Sequence, residues 1–182
     1  MFHEWWDELE SKWKELLVRN WLLFKKYNGS LTEYLWDAYG AYDYFICRSM
    51  SLPFNDIDED RSISEMIIKN HLKAVDENTI KQILDMEFIA MDQSVSYISP
   101  LSYFNNIKAI DFHCNNSSKI TDFSPLARFK RIYILDYSDY LTIDFDKFSN
   151  IRDFSNIQYI KCNGMPEKEL EYILNDLNGY RI

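Results

Sequence analysis

Asp111, Phe112, His113 and Cys114 bring a carboxylate, an imidazole and a thiol within four consecutive residues. A thiolate beside an imidazole base, with a carboxylate to orient the base, is the donor set of nucleophilic catalysis. The spacing works against that use, because neighbours in an extended strand turn to opposite faces and His113 would not meet Cys114. A second set, Asp56, Asp58 and Asp60 in "FNDIDEDRSISEM", fills the first, third and fifth places of a calcium loop. Arg61 then stands where the sharp turn needs glycine, and Ile67 where a bidentate glutamate should close the shell. His3 and His71 are isolated on expected helices and read as surface or boundary residues. No glycine-rich phosphate loop, H-E-x-x-H or G-x-S-x-G occurs. The residues therefore predict a non-enzymatic protein without metal or cofactor.

The bulk properties narrow the partners. A net charge of −9 and a pI near 4.8 disfavour nucleic acid and anionic lipid, which need Lys and Arg to displace counterions, and favour a basic partner. Cys47, Cys114 and Cys162 are odd in number and widely spaced, without C-x-x-C, so neither a disulfide framework nor a zinc knuckle is expected. "MFHEWWDELESK" carries acids where a signal peptide carries Lys or Arg, and "WLLF" is too short to span a bilayer. The expected location is the cytoplasm.

Two building styles must position whatever surface the chain presents. All five tryptophans, Trp5, Trp6, Trp13, Trp21 and Trp36, precede residue 37, and both Ser-Pro pairs follow residue 98. From His3 to Tyr27, Trp6, Leu9, Trp13, Leu16, Leu17 and Phe24 recur at helical spacing, ended by Asn28-Gly29. Ser30-Leu31-Thr32-Glu33 is a capping box for a second helix, with Leu31, Leu35, Ala38, Tyr42 and Phe45 inward and Pro53 as its limit. Ser62-Ile63-Ser64-Glu65 predicts the start of a third helix, its inner side formed by Ile63, Met66, Ile67 and Leu72, beside a solvated acidic loop.

The second style is repetitive. "ISPLSYFNNIKAIDF", "FSPLARFKRIYILDY" and "FSNIRDFSNIQYIKC" begin at Ile98, Phe123 and Phe148, a period of 25 residues. "NTIKQILDMEFIAMD" lays Ile80, Ile83, Met86, Ile89 and Met91 over the same slots as an imperfect earlier copy. In each unit a three-residue spacing suits a tight helical or 3₁₀ turn, and an alternating pair such as Leu135 and Tyr137 suits a short strand. One such coil cannot bury its apolar side alone, so the units must stack.

"ITDFSPLARFKRIYILDY", at 120–137, resembles the leucine-rich repeat family, specifically its internalin-like or SDS22-like class, over about residues 77–182. The resemblance implies an α/β leucine-rich repeat solenoid of about four repeats with a short parallel sheet. Residues 1–76 would form an α-helical N-terminal cap, and "MPEKELEYILNDLNGYRI" a closing helix and strand. Asn115 can fill the family's Asn ladder, which Tyr140 and Met165 would break. It also implies a concave, strand-lined face that binds protein. Its outward columns would be Phe88, Ala109, Ile134 and Tyr159, then Ala90, Asp111, Asp136 and Lys161, then Asp92, His113, Ser138 and Asn163. The expected protein-binding residues are Phe88, Asp92, Asp111, His113, Ile134, Asp136, Tyr159 and Lys161, unless helices or a curved sheet cover them. Small acidic proteins without catalytic motifs often neutralise toxins in bacteria, and usage rich in Ile, Asn, Lys and Tyr fits an AT-rich genome. The leading expectation is an immunity protein that binds a basic toxin domain. The alternatives are a scaffold or regulatory adaptor and, from another class, an enzyme using Asp111, His113 and Cys114.

Overall fold

A computed structural model of the chain describes residues 2–26, 57–91, 95–111, 120, 122–136 and 156–161. The expected second helix, the third Ser-containing corner at 148–154, Asn115, the three cysteines and the closing helix and strand lie outside the described residues. The described residues divide into two compact units, one of residues up to Ile83 and one of residues from Leu84 onward.

The first unit is helical. The expected continuous helix is two: α1 spans Phe2–Glu8 and α2 spans Ser11–Lys26. The break has local causes. Leu9 N–H bonds to the Trp6 carbonyl at 3.2 Å, an i to i−3 contact that ends the first helix. Lys14 Nζ then donates to the Asp7 carbonyl at 3.1 Å, a cation on an orphan acceptor at a helix C-terminus. The interruption lets Trp5, Trp6 and Trp13 all be buried. Burial on α2 is wider than a single stripe, since Val18 and Leu23 join Trp13, Leu16, Leu17 and Trp21.

Helix α3 spans Ile57–Lys73 and begins five residues before the expected Ser62 cap. Asp58, Glu59 and Asp60 fall in its first turn, where carboxylates favour the helix dipole, so the acids start the helix instead of forming a loop beside it. With the start moved, the inner stripe is Ser64, Ile67, Ile68 and His71, and Met66, expected inward, is 56% exposed. Helix α2 packs on α3, with the His71 ring edge-on to Trp21 at 6.0 Å. Helix α4, Glu77–Leu84, buries Ile80, Ile83 and Leu84. Asp76 caps it: Thr79 N–H and hydroxyl each donate to Asp76 Oδ1 at 2.7 Å. Trp21 Nε1 donates to Gln82 Oε1 at 3.0 Å, tying α2 to α4.

Among its described residues the second unit has four strands, β1 Phe88–Ala90, β2 Ala109–Asp111, β3 Ile132–Asp136 and β4 Ile157–Lys161. They form one sheet, all parallel and in chain order. Before β2 and β3 come two 3₁₀ turns, Ser99–Tyr103 and Ser124–Arg128, each with proline in its first turn. The two corners have nearly the same backbone. Ile98 and Phe123 enter with φ −123° and −104°, and Phe104 and Phe129 leave extended at ψ 146° and 140°. Leu101 and Leu126 N–H bond back to the Ile98 and Phe123 carbonyls at 3.0 and 2.9 Å. Proline supplies the fixed φ and needs no donor partner there, which is why "SPL" recurs. Leu101, Phe104, Phe123 and Leu126 are buried without residue.

Successive turns are fastened on the side where the strands begin. Asn106 Nδ2 donates to Asp85 Oδ1, and Lys108 Nζ lies 3.0 Å from Glu87. Arg128 donates to the Ser102 carbonyl and, at 3.3 Å, to Asn105 Oδ1. Asn156 Nδ2 donates to the Leu126 and Phe129 carbonyls at 3.1 and 2.6 Å. Asparagines do tie turns together here, but before the strands.

Candidate functional site

The candidate site residues belong to the sheet, so its register decides which of them meet. β1 and β2 align Phe88 with Ala109 and Ala90 with Asp111, and β3 and β4 align Ile134 with Tyr159 and Asp136 with Lys161, as the repeat predicts. Between β2 and β3 the register differs. Ala109 lies opposite Tyr133, Ile110 opposite Ile134 and Asp111 opposite Leu135, one residue short of the 25-residue repeat. The 3₁₀ turns keep the full period, so the extra residue sits between Phe104 and β2, in Asn105-Asn106-Ile107-Lys108.

A one-residue offset moves side chains to the opposite face, and this breaks the expected columns. Phe88 is in register with Ala109 and Tyr133, not with Ile134, and Asp111 does not stand beside Asp136. The sheet gathers the predicted residues into two pairs, Ile134 with Tyr159 in the middle of β3 and β4 and Asp136 with Lys161 at their C-terminal ends. Asp92 and His113 lie outside the described residues.

Exposure gives a second correction. Phe88 is 3% exposed, Asp111 2% and Ile134 0%, so these three do not form a solvent-open face. Every residue of β1 and β2 is buried, as are Ile132, Tyr133 and Ile134 of β3. A short parallel sheet covered on both faces reads as a nearly continuous apolar run, and "FIA" and "IYIL" are such runs. That continuity was the signal in the sequence against outward-pointing columns. Asp111 is nonetheless a buried carboxylate at a strand end. Its own carbonyl accepts from Met91 N–H at 2.7 Å.

Among the described residues no three His, Cys, Asp or Glu side chains come together as a metal site. Nor is any described helix long and apolar enough to cross a membrane. The residues that sequence reasoning missed are those of the strand-entry side. "NNIK" and "SNIQ" place Asn106 and Asn156 in equivalent slots before β2 and β4, and that repeated Asn-Ile was the available signal. Comparison with protein-family models, with curated proteins and with solved structures gives no match.

Proposed function

We propose that the protein is a leucine-rich-repeat-like binding protein that works in the cytoplasm without catalysis, and that it neutralises a toxin by holding a basic domain of it. The observation that carries this reading is the parallel pairing of strands in chain order after two Ser-Pro-Leu corners with similar cap dihedrals. Such an array repeats positions at the strand spacing of about 4.8 Å, a row on which a second protein can lie. The binding residues of this reading are Asp136 and Lys161 at the ends of β3 and β4 and Tyr159 within β4, together with Asp92 and His113, which follow β1 and β2 in the sequence. Phe88, Asp111 and Ile134 support that surface from the core. The net charge of −9 supports a basic partner, because complementary charge speeds encounter and rejects acidic competitors.

Co-expression with a basic enzyme domain encoded beside the gene tests it. Growth rescue and a stoichiometric complex, both lost with Asp136→Lys and Tyr159→Ala in a folded protein, are the expected result. Rescue that survives both substitutions overturns the assignment of the face, and absence of any complex overturns the function.

A further inference from the structure

We propose that Tyr103, Arg128 and Lys130 form a second docking surface, around the two 3₁₀ turns, for an acidic segment of a partner protein. The chain is acidic overall, yet Arg128-Phe129-Lys130-Arg131 sets three cations in four positions, and no acid occurs between Asp122 and Asp136. Three lysines lie beside carboxylates: Lys69, Lys81 and Lys108 are 3.8, 2.9 and 3.0 Å from Glu65, Glu77 and Glu87. Arg128 differs. Its described partners are the Ser102 carbonyl, Asn105 Oδ1 and the Phe129 ring, whose centroid is 6.0 Å from Cζ, and none of them carries a formal negative charge. A cation already held in place loses little side-chain entropy on binding. Lys130 is exposed and has no ion pair among the described residues. Asp122, the nearest acid before the cluster in sequence, is exposed and accepts from Ser124 N–H at 2.8 Å.

Tyr103 follows Ser102, the residue Arg128 holds, and is 52% exposed. An exposed tyrosine next in sequence to the residue that holds an arginine supplies the two residue types that dominate protein interfaces. A carboxylate accepts from the guanidinium N–H groups that Ser102 and Asn105 leave over, and an apolar neighbour covers the tyrosine ring. A peptide suits this better than nucleic acid, since two cations, Arg128 and Lys130, do not offset the repulsion between a long polyanion and a chain of charge −9. The surface is independent of the strand-end face above and prefers the opposite charge, so failure of either proposal leaves the other standing.

The test is fluorescence anisotropy of a labelled peptide, Glu-Glu-Leu-Asp-Glu-Leu, with the full chain at low salt. Saturable binding is expected, weakened about tenfold by Lys130→Glu and by a similar factor by Tyr103→Ser, at unchanged Tm. Lys130 is the primary variant because Arg128 also joins the turns; Arg128→Lys, which keeps the charge and loses the fork, should fall between. No saturable binding, or equal binding by the variants, overturns the proposal. So does tighter binding of a short single-stranded oligonucleotide, or a peptide-independent dimer in sedimentation that Lys130→Glu dissolves.

Discussion

Ser64 has a fully buried side chain, and its hydroxyl has no hydrogen-bond partner among the described residues. An orphaned buried hydroxyl costs about 1–3 kcal/mol, so Ser64→Ala is expected to raise stability by about 1 kcal/mol in urea unfolding. Were Ser64 part of a helix-opening motif, as "SISE" invites, the same substitution would lower it. Asp76 is the real cap. The Thr79 N–H, and next the Thr79 hydroxyl, hold its carboxyl below the ordinary aspartate value. A depressed carboxylate contributes stability above its unfolded pKa of about 3.9 and loses it as pH falls through the folded value. The Tm deficit of Asp76→Ala should therefore be full at neutral pH and shrink below about pH 4. Asp76→Asn, which keeps the acceptor without the charge, should lack that pH dependence. The cap was not singled out in the sequence, because an aspartate before a short helix differs in no local way from the acids around Asp58 that lie within one.

At the scale of elements, the coils are held by their corners and by the fastenings between turns. Leu126 fills the corner of the second turn, and Leu126→Ala should cost about 2–5 kcal/mol, as deletion of a buried leucine does. Tyr103→Ala on the exposed side should stay within about 0.5 kcal/mol. Asn156 satisfies two carbonyls of the preceding turn from a half-buried position, so Asn156→Ala should cost about 1–3 kcal/mol by thermal or urea unfolding. Asn106→Ala, whose bond to Asp85 is exposed, should cost about 0.5 kcal/mol or less. Much of this level was legible. The Ser-Pro-Leu corners, the buried Leu101, Phe104, Leu126 and Phe129, and the strands β2 and β3 follow from spacing alone, because proline and apolar period act locally. The extra residue before β2 was not legible: two strands of continuous apolar residues accept either register, and only pairing chooses between them.

For the whole molecule, charge gives the clearest expectation. If the proposed basic partner is correct, its association rate should fall at least about tenfold from low to high salt while dissociation changes little, in stopped-flow measurements. Composition alone set that expectation, since net charge does not depend on how the chain folds. Composition and spacing put a boundary at residue 76, whereas the two compact units divide after Ile83, so Ile80 and Ile83, read as the first repeat, belong to the helical unit. Burial was decided elsewhere. Whether Phe88, Asp111 and Ile134 face water depends on what covers each side of the sheet and on which residue of β2 meets which of β3, and both are long-range choices. Local sequence builds each turn and strand; only their stacking determines which side chains are left for a partner.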